Sequence, residues 1–396
     1  MALKAKFSSN KSRGILGEPD SEDMWNEILN HIPDKLLVKP GVSILNIGCG
    51  QGTEAVLLAK RMFDLGISKD AVNESIHLVD NSTIYTNYVK GWHGFKNVYC
   101  ADFLTWESDM KFDIVVGNPP YQNGDNSHFY KRFIEVAKSV SDVMAFVVPS
   151  SYFNNTQAFD NLRDYAYKGK VFANVDLAAS WFIWQRDYSK ACRVYIDDEC
   201  LEVEKFALPP SNNLNMFKFI NNSMISGVSH YKIAGGKLLR KDAQLDDTGV
   251  WCIWSCGGNS DDFDKALISD KHTNMLGGFG VHKVVFSKAY GGYTKVQGKI
   301  YPNLGGIKYA DPQQGCANGS RFITVDSQIE AVNLIAYLNS KFVKSIVGNV
   351  KKGIDNTQML FDAIPRIDNS RTWSDAEIYQ HFKLDNSLIE YIDPTF

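Results

Sequence analysis

A doubly wound, mostly parallel α/β sheet followed by a C-terminal α+β region is the fold class this sequence predicts. Three observations carry it. Short apolar runs alternate with amphipathic ones through the first half. A glycine-rich turn follows the first of those runs, and the composition changes after Pro209-Pro210. Strand, helix, strand, helix is the pattern of a parallel sheet covered on both faces.

The runs SILNIG (43–48), SIHLVD (75–80), NVYCAD (97–102), FDIVVGN (112–118) and VMAFVVP (143–149) read as buried strands. They are rich in Ile, Val and Leu and lack strict alternation, as strands buried on both faces do. Between them Glu54–Leu65, Ile84–Trp92 and His128–Val140 read as helices. CRVYIDDECLEVEKFAL (192–208) reads as a hairpin turning at Asp197-Asp198, an antiparallel edge of the same sheet. Pro209-Pro210-Ser211-Asn212-Asn213 reads as a linker, which divides the chain into residues 1–210 and 211–396. Beyond it, 277–295 and the following GKIYPNLGGIKYADPQQG predict short strands with glycine turns. Asp326–Ser345 predicts a helix, and Ser374-Asp375-Ala376-Glu377 has the form of a capping box.

The 396 residues are 44% hydrophobic and 22% charged, enough apolar material for two cores and unlike a disordered chain. No apolar run approaches the roughly 18 residues that span a bilayer. The basic N-terminus lacks a signal peptide's apolar core, so a cytoplasmic protein is expected. Seven scattered cysteines argue against a disulfide framework, and Cys252 with Cys256 lacks a second ligand pair for zinc. Buried thiols and no metal are expected. The net charge of −3 is unevenly distributed: residues 271–360 hold 11 Lys+Arg against 4 Asp+Glu. Such a stretch is either a phosphate-facing surface or a solvated face.

Ile44-Leu45-Asn46-Ile47-Gly48-Cys49-Gly50-Gln51-Gly52 turns sharply between a strand and a helix. Glycines there let the backbone approach a ligand without a Cβ in the way. The dinucleotide GxGxxG spacing is not met, and Glu54 at the helix start is a poor host for pyrophosphate. A P-loop Gly-Lys-Ser/Thr ending is absent as well. Asp80, ending the second strand, is placed to accept from both ribose hydroxyls of an adenosine-bearing cofactor; its alternative is a helix cap before Asn81-Ser82. Asp102-Phe103 after the third strand offers an acceptor and a ring for an adenine, or an ordinary turn.

The most informative run is Asp113-Ile114-Val115-Val116-Gly117-Asn118-Pro119-Pro120-Tyr121. Two prolines end a buried strand and hold the backbone extended. Asn118 supplies a side-chain carbonyl, Pro119 a backbone carbonyl and Tyr121 a flat ring. An exocyclic adenine nitrogen is a poor nucleophile because its lone pair is delocalised. Two acceptors drawing its N–H bonds out of the ring plane would free that lone pair, so directed hydrogen bonds and positioning carry the reaction. Tyr121 would stack on a base extruded from a helix. The competing reading of the run is a plain strand-ending turn.

The glycine loop with Asp80 resembles the class I S-adenosylmethionine-dependent methyltransferases, apart from Asn46, where many members carry Asp. The run Asn118-Pro119-Pro120-Tyr121 resembles their motif for planar amino nitrogens. Its order after the glycine loop and before a large extra region is similar to the gamma group of N6-adenine DNA methyltransferases. The resemblance implies S-adenosylmethionine as cofactor, held by Gly48, Cys49, Gly50, Gly52, Asp80, Asn81, Asp102 and Phe103. It also implies a closing segment at Arg13-Gly14-Ile15-Leu16-Gly17-Glu18-Pro19, with Gly14 among the cofactor residues, and catalysis by Asn118, Pro119, Pro120 and Tyr121. Val147–Phe153 resembles the strand and turn after the catalytic loop. Trp181-Phe182-Ile183-Trp184 is either a second aromatic wall or a core stripe.

The closing stretch Ile364–Ser374 is similar to the end of the target-recognition region in type IIG restriction–modification enzymes. A target-recognition domain over 211–396 would meet double-stranded DNA through Lys283, Lys288, Lys295, Lys299, Arg321, Lys351 and Lys352, interleaved with Tyr290, Tyr293, Tyr301 and Tyr309. No carboxylate–carboxylate–lysine nuclease set is legible, so a stand-alone modification enzyme is expected. RNA adenine methylation and methylation of protein glutamine remain the alternatives.

Overall fold

The computed structural model describes residues 19–106, 110–122, 128–169, 178–196, 199–211, 213–228, 230–256, 262–296, 299–351 and 354–394. Residues 19–21, 169, 293–296 and 299–302 are described by their backbone alone. The chain divides into two compact units, Met1–Pro210 and Ser211–Phe396.

In the first unit nine strands form one sheet: β1 (Ile44–Ile47), β2 (Ile76–Asp80), β3 (Asn97–Cys100), β4 (Phe112–Gly117), β5 (Ser141–Pro149), β6 (Leu162–Gly169), β7 (Ala179–Gln185), β8 (Cys192–Ile196) and β9 (Glu199–Val203). Their order is β3-β2-β1-β4-β5-β7-β6-β8-β9. The first five are parallel, and β7 enters antiparallel between β5 and β6. Strands β1 and β2 are buried throughout, which is why their sequences show no alternation. The predicted hairpin forms as β8–β9 at the sheet edge, and its turn, Asp197-Asp198, lies outside the described residues.

Helices α1 (Pro19–Asn30), α2 (Asp34–Leu37), α3 (Thr53–Asp64), α4 (Lys69–Ser75), α5 (Thr83–Tyr88) and α6 (Tyr130–Val140) accompany the sheet. Trp25, Ile28, Leu58 and Met62 from α1 and α3 join Ile44, Leu78 and Ile114 in one apolar core. The helix expected over Ile84–Trp92 changes character at its end. Val89–His93 is a π-turn closed by Gly94 at φ +72°. Trp181-Phe182-Ile183-Trp184 lies in β7 and is buried, so the core reading of that stripe holds.

The second unit is built from β10 (Leu245–Cys256), β11 (Phe263–Ile268), β12 (Lys283–Ser287), β13 (Tyr293–Val296), β14 (Lys299–Pro302), β15 (Ile307–Ala310), β16 (Gln314–Cys316) and β17 (Ser320–Thr324). They pair as β11-β10-β16, β15-β12-β17 and a separate β13-β14 hairpin. Its helices are α7 (Leu214–Ile225), α8 (Gln328–Leu338), α9 (Lys341–Val350), α10 (Gln358–Asp362), α11 (Asp375–His381) and α12 (Asn386–Ile392). The helix expected over 326–345 is therefore two, divided where Asn339 ends α8 and Ser340 caps α9 by accepting from Val343 N at 3.2 Å. Both halves of the expected capping box form at Ser374 and Glu377. Among the described residues no helix is long and apolar enough to cross a membrane.

Candidate active site

The site begins where β1 ends. Gly48, Gly50 and Gly52 take φ of +57°, +49° and +83°, the left-handed region that a side chain disfavours. The turn is tied down by Cys49 N donating to Val79 O (3.2 Å), Gly50 N to the Asp80 carboxylate (3.0 Å) and Gly52 N to Cys49 O (2.7 Å). A Cβ on Gly48 would meet nothing within 4 Å, and one on Gly50 only Gly48 O at 4.0 Å, so this side of the loop is open. The other side is packed: a Cβ on Gly52 would lie 2.7 Å from Val89 Cγ1 in the π-turn. His93 Nε2 of the same turn sits 3.1 Å from Gln51 O. Burial of the Cys49 thiol, with Asp80 and Glu54 nearby, holds its proton on.

Asp80 ties two turns together and is not the helix cap that was its alternative, since Ser82 is the N-cap of α5. One carboxylate oxygen accepts from Gly50 N and the other from Ser82 N at 2.8 Å. Each carboxylate oxygen has a further lone-pair direction, so a ribose diol remains within its capacity. Asn81 beside it is exposed. Asp102 is exposed and closes a turn by accepting from Leu104 N (3.0 Å). Phe103 is buried, with its ring stacked on Phe133 of α6 at 5.9 Å.

Strand β4 delivers the second half of the site. Gly117 pairs with Ile47, so Asn118 leaves β4 alongside Gly48 at the end of β1. The approach is close enough that a Cβ on Gly117 would lie 2.6 Å from Ile47 Cγ1 and 2.8 Å from Ile47 O. Asn118 Oδ1 is buried and accepts no hydrogen bond. Buried amide oxygens seldom go unpaired, so this one has its acceptor capacity free. Tyr121 is buried, its hydroxyl is also unpaired, and burial pushes its phenol up. Its ring meets Tyr130 edge-on at 6.4 Å; Tyr130 meets Tyr152 at 6.0 Å, and Tyr152 stacks on Phe182 at 6.0 Å. The expected flat platform is thus enclosed in an aromatic cluster. Gly14 and the rest of 13–18 lie outside the described residues.

Sequence reasoning used Glu54 only to exclude pyrophosphate. In the structure it heads the buried stripe of α3 with Ala55, Leu58, Ala59 and Met62. The i, i+4, i+8 spacing of Glu54, Leu58 and Met62 was the signal that this carboxylate is inside. Among the described residues no cluster of three or more His, Cys, Asp or Glu could hold a metal ion.

Two of the expected phosphate contacts are corrected. Lys283 is 0% exposed and its Nζ donates to Val281 O and Asp311 O, both at 2.7 Å. Lys351 is buried too, donating to Tyr290 O (3.0 Å), Asn303 O (2.7 Å) and Asn356 Oδ1 (2.8 Å). Ammonium groups sealed and spent on backbone carbonyls cannot reach a phosphate. Arg321 folds back onto Asn318 O and Ser320 O, and Lys288 is half-buried. Lys295 and Lys299 occupy the β13–β14 hairpin, where only the backbone is described; Lys352 lies outside the described residues.

A glycine turn after β1, an acid ending β2, Asn-Pro-Pro-Tyr after β4 and an antiparallel β7 inserted between β5 and β6 define a class I methyltransferase fold. The particular relatives follow from comparison. Residues 48–179 match the family model described as Eco57I restriction-modification methylase. The chain is similar to a tRNA1(Val) (adenine(37)-N6)-methyltransferase of Glaesserella parasuis serovar 5 (strain SH0165), 34% identical over 79 residues, 20% of this chain and 32% of that one. It is also similar to a release factor glutamine methyltransferase of Rhodopirellula baltica, 27% identical over 116 residues, 27% of this chain and 36% of that one. The chain spans about a third of the length of the curated relatives it matches. A type I restriction-modification system methyltransferase subunit from Streptococcus thermophilus aligns at TM-score 0.36 with 16% identity, covering 47% of this chain and 48% of its own.

Proposed function

We propose that this chain transfers a methyl group from S-adenosylmethionine to the exocyclic N6 of adenine in nucleic acid, with duplex DNA as the substrate. The observation that carries the reading is the buried, unpaired Oδ1 of Asn118, leaving β4 beside the open face of the glycine loop. The cofactor fits that face. Gly48 and Gly50 leave room where side chains would stand, and Asp80 keeps acceptor capacity for a ribose. When bound, S-adenosylmethionine supplies an electrophilic methyl group on a positive sulfur.

The chain's own work is to hold the nitrogen. Asn118 Oδ1 and the Pro119 carbonyl accept its two N–H bonds, bending them from the ring plane and exposing the lone pair. As the N–CH3 bond forms the S–CH3 bond breaks, its electron pair staying on the sulfur, and the methylated nitrogen then gives up a proton to solvent, so no carboxylate base is needed at the start. Preorganised acceptors of this kind are typically worth about 100-fold or more in rate. Tyr121 would stack on a base extruded from its helix.

The match of 48–179 to a restriction-modification methylase model and the presence of a large second unit support DNA. A second reading, RNA adenine or a protein glutamine amide, is favoured by the names of curated relatives. With two lysines of 271–360 buried, the charge of that stretch argues less for DNA than its sequence suggested.

Tritiated S-adenosylmethionine offered with duplex DNA, total tRNA and rRNA, and release factor separates the readings. Label in DNA recovered as N6-methyladenine is expected; label confined to RNA or protein would replace the proposal by its alternative. Asn118→Ala should lower methyl transfer by about 100-fold or more while cofactor binding persists. Loss of binding instead would mean that the site is misplaced.

A further inference from the structure

Glu54 stands out among the buried groups that this mechanism does not use. It is 1% exposed, and its Oε1 has no hydrogen-bond partner. It is the second residue of α3, immediately after the glycine turn, and its charge acts on the Cys49 thiol inside that turn. Among the described residues no cation offsets it: burial and its own backbone N–H are what act on its carboxyl. The neighbouring polar groups cannot serve in its place. Asn46 is neutral and fully buried, with its Nδ2 turned to Val116 O at 3.4 Å. Asp80, the other carboxylate acting on Cys49, already holds Gly50 N and Ser82 N.

A sealed carboxyl without a counter-charge costs several kcal/mol if ionised, so it holds its proton until a positive charge is brought beside it. The ligand expected on this loop carries a positive sulfur. We propose that Glu54 is the counter-charge for that sulfonium, its carboxyl releasing a proton to solvent as the cation docks on the glycine loop. The assignment rests on the loop being the S-adenosylmethionine site. Glu54 would then favour the donor over the product S-adenosylhomocysteine, which has the same adenosine and amino-acid ends but a neutral sulfur. Burial pushes the carboxyl up to about 7, so it is poised to change state on docking near neutral pH.

Calorimetric titration of the intact protein with each of the two ligands, without any methyl acceptor, tests this. Between pH 5.5 and 8.5 the wild-type preference for S-adenosylmethionine over S-adenosylhomocysteine should rise by about tenfold as Glu54 ionises freely. Near neutral pH, buffers of different ionisation enthalpy should report more proton release with S-adenosylmethionine. In Glu54→Gln the preference should be flat with pH and the extra proton release gone. A flat preference in the wild type overturns the assignment whether or not the variant folds, as does an undiminished slope in Glu54→Gln; either leaves the cofactor reading standing. Failure of both ligands to bind overturns both.

Discussion

Lys283 and Lys351 show how far a residue's position can depart from its charge. Each places an ammonium group among carbonyl oxygens, and burial pulls both down to about 8. In the unfolded chain a lysine titrates near 10.4, so between about pH 8 and 10 the unfolded state holds the extra proton. The unfolding free energy contributed by these two lysines therefore rises with pH across that window, as the cost of burying a charge is relieved. Thermal melts from pH 7.5 to 9.5 should show wild type gaining on Lys351→Met as pH rises; a constant difference would mean that Lys351 does not titrate there. The sequence held a partial signal for one of them, since Lys283 interrupts the apolar run HKVVF. It held none for Lys351, whose partners Tyr290 and Asn303 lie about 50 residues or more away. The role proposed for Asn118 rests on the local run Asn-Pro-Pro-Tyr, whereas the enclosure of Tyr121 depends on Tyr130 from α6.

At the scale of elements, what the sequence concealed was the way turns end and strands approach. The apolar pattern runs on through Asn339-Ser340 and hides the break between α8 and α9, because Asn ending one helix and Ser capping the next interrupt no periodicity. The π-turn after α5 likewise follows from packing, Val89 filling the place where Gly52 has no side chain. Gly117 is the corresponding feature of β4. Its lack of a Cβ lets β4 lie against Ile47 and brings Asn118 alongside the glycine loop. Gly117→Ala would drive a methyl group to within 2.8 Å of the Ile47 carbonyl, which is backbone and cannot rotate aside. Overpacking of this kind costs about 1–3 kcal/mol. The displaced Asn118 should also lower methyl transfer by more than the loss of folded protein accounts for. A denaturant midpoint and a turnover measurement on the same sample check this, and turnover unchanged per folded molecule would mean that the fit of β4 on β1 does not set the acceptor geometry.

The two units differ in legibility because their contacts differ in range. In the first, β1, β2 and β4 are each followed by helix and then by a strand of the same parallel set, so local patterns map onto that part of the sheet. In the second, β10 pairs parallel with β16 some sixty residues later, and β12 lies between β15 and β17; no local pattern announces such partners. The function proposed for this unit turns on surface charge, and burial of Lys283 and Lys351 shifts the question to the β13–β14 hairpin that carries Lys295 and Lys299. The neck of that hairpin is well anchored: Lys351 bonds Tyr290 O and Asn303 O, and Asn356 bonds Leu304 O at 3.0 Å. A hairpin carrying two lysines suits uniform contact with a phosphate backbone, which positions a duplex without reading its sequence. Replacing both lysines by alanine in the intact chain should weaken binding equally to any duplex. It should also make the slope of log affinity against log salt shallower by about 2, one for each phosphate left without its lysine. If affinity falls only for particular sequences, the hairpin reads bases instead. An unchanged slope would remove it from the interface and leave the partner of this unit to be sought among the RNA and protein substrates.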